Sequence, residues 1–219
     1  AVTFLGIDVA GGALEPSARP LRAKLEFLGD SITEGVALWP ARAGKDTACW
    51  RADGRLGYAS QTAQALGAEW RQVGFGGQGI LKGGNGGVPA FNDSFNLIYG
   101  GVRRDDWQPD MVIINAGTVD RTNLSPDFRP AYTTFLGTIR AGYPAAKIVA
   151  LRPFGGYHGD EVKAAVAART TAGDPLVFYV DTTGWLASGD YTDGIHPNAT
   201  GSAKAAQALA AAIRTLGLP

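Results

Sequence analysis

From Lys24 onward, short apolar runs alternate with longer helix-prone ones. Lys24–Leu28, Glu69–Gly74, Met111–Asn115, Lys147–Leu151 and Leu176–Val180 are β-prone, and several are apolar throughout, as strands covered on both faces should be. Between and after them, Gly57–Leu66, Asp127–Ala141, Asp160–Arg169 and Ala199–Leu216 carry helix-forming residues. Asn198, directly after Pro197, is placed to cap the last of these. The alternation predicts an α/β protein built on one five-stranded parallel sheet.

Two stretches break the pattern. Residues Val2 to Arg22 mix a short apolar strand with Gly11-Gly12, Pro16 and Pro20, which reads as an extended lead-in rather than a domain. The expected division is therefore 1–22, then a single compact domain over 23–219. From Gly76 to Asp106, glycines at 79, 83, 84, 86, 87, 100 and 101 interrupt Phe91, Phe95 and Tyr99. A long Gly-rich loop is either flexible or functional. Ligands of open α/β sheets bind at the carboxyl ends of the strands, where Ser31, Gly77, Gly117 and the segment after Val180 fall.

Composition narrows the function. The chain has 219 residues, 45% of them hydrophobic and 18% charged, enough for one sizeable core. Twenty basic residues balance twenty acidic ones, with no basic run suited to nucleic acid. Cys49 is the sole cysteine, which rules out an internal disulfide and a multi-cysteine metal site. No stretch approaches the roughly 20 apolar residues that span a bilayer, since Lys204 and Gln207 break the Ala203–Ile213 run. A soluble protein is expected, with neither membrane nor nucleic acid as partner. The chain starts Ala1-Val2-Thr3-Phe4 without an initiator methionine or signal pattern, so removal of an upstream segment is expected. Asn92-Asp93-Ser94, Asn123-Leu124-Ser125 and Asn198-Ala199-Thr200 fit the glycan-acceptor pattern and tilt the expectation toward secretion.

The chemistry converges on Ser31, at the turn Gly29-Asp30-Ser31-Ile32-Thr33 that ends the first apolar run. A serine needs an adjacent base, and histidine is the usual one. Of the two histidines, His158 sits in Phe154-Gly155-Gly156-Tyr157-His158-Gly159 and reads as an exposed loop residue. His196, in Asp193-Gly194-Ile195-His196-Pro197, is the better base, and Asp193 is close enough to orient its ring. Asp30 reads as an anchor for the turn, and Asp120 as an acceptor of backbone hydrogen bonds. Cys49, His158 and His196 show no zinc-ligand spacing, and no cofactor is expected.

These residues resemble the SGNH, or GDSL-type, hydrolase superfamily. Gly29-Asp30-Ser31 matches its first block, and Gly77 in Val73-Gly74-Phe75-Gly76-Gly77-Gln78-Gly79 resembles its second. Gly117-Thr118-Val119-Asp120 resembles its third, and Asp193-Gly194-Ile195-His196-Pro197 matches its last. Gly77-Gln78-Gly79-Ile80 and the amino-terminal strand look most like carbohydrate esterase family two, the acetyl xylan esterase-like group, whose members deacetylate sugars and carry a β-sandwich ahead of the catalytic domain. The resemblance implies a three-layer, flavodoxin-like α/β/α fold, with residues 1–22 as the tail of such a sandwich.

It also implies acyl transfer from a small-molecule or carbohydrate ester. Ser31 would attack the ester, His196 would shuttle the proton and Asp193 would hold the imidazole, while the N–H groups of Ser31 and Gly77 face the oxyanion. The departure is Val119, where the family has an asparagine whose amide is a third oxyanion donor. Turnover then proceeds on two donors, or Asn115 or Asn123 reaches the same point. Of the tryptophans, Trp39, Trp50 and Trp107 lie in loops or near strand ends and Trp70 in a strand, whereas Trp185, ahead of the Asp193 loop, is the one expected to wall a sugar pocket. Two alternatives stay open: a weakly active or non-catalytic carbohydrate-binding protein on the same scaffold, and a lipid or thioester hydrolase.

Overall fold

The computed structural model describes residues 10–13, 23–41, 48–97, 102, 107–123 and 126–217. Apart from residues 10–13, the lead-in segment lies outside them, as do Tyr99, Gly100, Gly101 and the Leu124-Ser125 part of one acceptor triplet.

Five strands, β1 (Lys24–Gly29), β2 (Glu69–Gly74), β3 (Met111–Asn115), β4 (Lys147–Leu151) and β5 (Val177–Val180), form a sheet in the order β2-β1-β3-β4-β5 with every pairing parallel. The flavodoxin-like order reverses direction between β1 and β3, which is where such sheets bind ligands. Register places Gly29 of β1 level with Gly74 of β2 and Asn115 of β3, so the loops leaving these strands start from a common edge.

The helices are α1 (Ser31–Glu34), α2 (Tyr58–Leu66), α3 (Phe91–Ser94), α4 (Phe128–Gly142), α5 (Gly159–Thr171) and α6 (Ala199–Thr215). They cover both faces of the sheet. Within the fully buried β3, Val112 and Ile114 join the core under α4 and α5, while Met111 and Ile113 join the core under α2 and α6. The alternation follows from the pleat, which sends successive side chains to opposite faces. On α4, buried Phe128, Tyr132, Phe135, Leu136 and Ile139 recur at helical spacing, giving one apolar stripe to the sheet.

Residues 76–97 are not the open loop that their glycines suggest. Phe91, which opens α3, and Phe95, just after its end, are buried against Phe135, at ring-centroid distances of 5.3 and 6.2 Å. Each such burial contributes roughly 1.5–3 kcal/mol, so these aromatics hold the segment on the core. Local propensity hides this arrangement because α3 is a single turn fixed by tertiary contacts.

Candidate active site

Ser31 opens α1, and the cap sets its exposure. Asp30 accepts the Ile32 N–H at 2.9 Å through Oδ1, the expected anchoring role. Gly29 lets the helix fold back over β1, since a Cβ there would stand 2.0 Å from Thr33 Oγ1. Thr33 Oγ1 in turn meets Tyr58 Oη at 2.8 Å, which fixes α1 against α2.

From 165 residues further on, His196 brings Nε2 to 2.8 Å from Ser31 Oγ, and its Nδ1 lies 2.8 Å from Asp193 Oδ2. Asp193 Oδ1 also accepts the N–H groups of His196 at 2.8 Å and Ile195 at 3.1 Å. An ionised carboxylate only accepts, so Nδ1 carries a hydrogen and the neutral ring leaves Nε2 to take the Ser31 proton. Burial raises the Asp193 carboxyl, but the His196 N–H, the imidazole and the Ile195 N–H outweigh it and hold the group below the usual carboxylate range. The loop closes on itself through the Tyr191–Pro197 bridge and the Thr192 N–H to His196 carbonyl bond at 2.9 Å. Asn198 then caps α6 by accepting the Gly201 N–H at 2.9 Å.

Gly77 follows β2 with φ at +75°, a backbone shape that favours glycine. Val119 is buried in the turn after β3. Neither makes a hydrogen bond to the three residues above, and among the described residues the Ser31 and Gly77 N–H groups donate to nothing. Asn115 is 1% exposed inside β3. Asn123 stands exposed beyond the turn, with its N–H on the Asp120 carbonyl at 2.7 Å.

Asp120 accepts the N–H groups of Ile80 at 2.8 Å and Leu81 at 3.2 Å, as expected of a pinning residue, although it pins the Gly77 segment rather than its own turn. His158 differs from its sequence reading. It is partly buried, stacked on Phe128 at 3.9 Å and 12°, with Nε2 2.9 Å from the Asp120 carbonyl. Nothing local signals this, because its partners lie 30 to 38 residues away. Trp185 is half-buried beside Phe154, with ring centroids 6.4 Å apart. Asn92 donates to the Ala131 carbonyl at 3.2 Å and Asn198 to the Gly189 carbonyl at 2.9 Å, so two of the three acceptor-pattern asparagines have their amide nitrogens engaged. The described residues contain no cluster of three or more His, Cys, Asp or Glu able to hold a metal, and no helix long and apolar enough to cross a membrane.

A hydroxyl, an imidazole and a carboxylate stand in file at the reversal point of a 2-1-3-4-5 parallel sheet, an arrangement of the kind that serine hydrolases use. More narrowly, the chain belongs to the GDSL-like lipase/acylhydrolase family, whose model matches residues 27–204. It is 33% identical over 160 residues to the cellulase/esterase CelE of Acetivibrio thermocellus, covering 67% of this chain and 19% of that protein. It is 30% identical to an acetylxylan esterase / glucomannan deacetylase of Cellvibrio japonicus, covering 98% of this chain and 63% of the relative. The chain thus spans less than two thirds of either relative. Its fold matches a family two carbohydrate esterase from Clostridium thermocellum in complex with cellohexaose, with a TM-score of 0.81, 28% identity, and 99% and 71% of the two chains covered.

Proposed function

We propose that this protein is a metal-independent serine esterase that removes small acyl groups, chiefly acetyl, from carbohydrate hydroxyls. The observation that carries the reading is the Ser31–His196–Asp193 file, with both of its side-chain contacts at 2.8 Å. As Ser31 Oγ bonds to the ester carbonyl carbon, its proton passes to His196 Nε2, and Asp193 stabilises the imidazolium. His196 returns that proton to the sugar oxygen as the C–O bond breaks and the intermediate collapses, so the sugar leaves as its free hydroxyl. Water then repeats the sequence on the acyl-serine, releasing the acid and restoring Ser31. The Ser31 and Gly77 N–H groups serve the oxyanion, and Trp185 walls the sugar side.

The carbohydrate assignment draws on the acetylxylan esterase / glucomannan deacetylase relative and on the cellohexaose complex of the Clostridium thermocellum structure. On such polymeric substrates the protein acts outside the cell. Ser31→Ala is expected to keep the circular dichroism spectrum and to abolish hydrolysis of p-nitrophenyl acetate and of acetylated xylan. Unchanged turnover in that variant would end the proposal, and a preference for octanoyl over acetyl esters would move it to lipids or thioesters. Val119 favours one rival, a carbohydrate-binding protein with little turnover. Oligosaccharide binding by the parent without Ser31-dependent hydrolysis would establish that rival.

A further inference from the structure

We infer that His158 is a positioning residue for the oxyanion side of the site, holding the Gly117–Asp120 turn and, through Asp120, the Gly77 segment. The inference rests on the serine-esterase reading above and extends it to a residue that touches none of the reacting groups.

The Asp120 carbonyl is an acceptor only, so His158 Nε2 at 2.9 Å must be the donor. The imidazole is held for this task by its stack on Phe128, 3.9 Å between centroids and 12° between planes. The same phenyl ring underlies the turn, since a Cβ built on Gly117 would lie 3.4 Å from Phe128 Cζ and 3.1 Å from Pro153 Cγ. His158 keeps this pose from a left-handed backbone, φ +55°, one of two non-glycine residues with positive φ among those described. Such a conformation is costly for a residue with a Cβ and marks positions that the surroundings over-determine.

Asp120 then links the turn to the other side of the cradle. Its buried carboxylate accepts the Ile80 and Leu81 N–H groups at 2.8 and 3.2 Å, just beyond Gly77-Gln78-Gly79. Side chain and main chain of one residue therefore connect both oxyanion segments to His158. Displacement of a donor by a fraction of an ångström weakens a hydrogen bond that matters only in the transition state. Losing the His158 contact should accordingly lower kcat with little change in KM.

Two variants separate the hydrogen bond from the stack. His158→Phe keeps an aromatic ring on Phe128 but has no donor, and His158→Gln keeps an N–H at similar reach without the ring. With p-nitrophenyl acetate, His158→Phe is expected to lower kcat about 10-fold with KM within about twofold, while His158→Gln recovers most of the loss. In a Val119→Asn background, where the turn supplies an amide donor, the His158→Phe loss should grow toward 100-fold, because the group displaced is then a donor itself. A folded His158→Phe with kcat within twofold of its parent in both backgrounds would overturn the inference. So would a His158→Gln as impaired as His158→Phe. If His158→Phe does not fold, the decision falls to His158→Gln in the Val119→Asn background, where loss of the asparagine's gain would overturn it. Loss of the serine-esterase reading would register separately, as turnover that survives Ser31→Ala.

Discussion

Valine at position 119 supplies a buried apolar side chain where the resemblance implies a third hydrogen-bond donor to the oxyanion. Removing one preorganised donor typically lowers turnover by about 100- to 1000-fold, or 3–4 kcal/mol of barrier. Val119→Asn is therefore expected to raise kcat for p-nitrophenyl acetate about 100-fold with KM little changed. Equal rates for the two proteins would show that the turn contributes no donor. Asp30, directly before Ser31, makes a separate prediction. Burial, opposed by the Ile32 N–H and reinforced by the charge of Asp120, pushes its carboxyl from 3.8 up to about 7. The folded state then binds more protons than the unfolded chain between those values, so stability falls as pH rises from about 4 to 7 and the full cost persists above. Asp30→Asn retains an oxygen for Ile32 but has no proton to lose. It should match the parent near pH 4 and exceed it at pH 8 by on the order of 1–4 kcal/mol in urea unfolding. A stability difference that does not vary with pH would refute the assignment.

Elements are tied together here by a few buried polar knots as well as by the two cores. Asp174, between α5 and β5, receives Arg140 Nε from α4 at 3.0 Å, Arg169 Nη2 from α5 at 3.2 Å and the Leu176 N–H at 3.3 Å. Arg140 further donates to the carbonyls of Tyr143, Ala146 and Leu176, joining the end of α4 to the starts of β4 and β5. Burial raises the Asp174 carboxyl, but the two guanidinium groups outweigh it and leave the group below its ordinary 3.8. A depressed folded-state value gives stability that is complete above the unfolded value and is lost as pH falls through the folded one, so this knot loosens only below about pH 4. Asp174→Asn should lower stability by about 1–3 kcal/mol at pH 7, and by less at pH 3, as measured by urea midpoints. An equal loss at both pH values would mean that packing, not charge, holds the knot.

Across the molecule, the parts legible from sequence were those whose signal is local. The bounds of β1, β3 and β4 are legible because buried parallel strands are apolar almost throughout, whereas β2 (EWRQVG) lies at the sheet edge, only partly buried, and carries polar residues. That Ser31, His196 and Asp193 belong together is read from the Gly-Asp-Ser turn and from the resemblance, since an Asp-x-x-His spacing alone is weak, and the structure brings the three into file through two contacts of 2.8 Å. What lay hidden depends on distant partners: α3 with Phe91 and Phe95 becomes core only under α4, and His158 acquires its role only when Phe128 and Asp120 reach it. The contact between Ser31 and His196 belongs to this long-range class too, closing 165 residues of intervening chain. Ser31, the proposed nucleophile, is laid down early, just after the inner strand β1, and its proposed base arrives on the segment that leads into α6. A chain interrupted before Asp193 would display a serine of ordinary reactivity, however complete the strands behind it. In the proposed mechanism, hydrolysis therefore begins with the closing of the longest loop in the site, and the return of turnover during refolding times that closure.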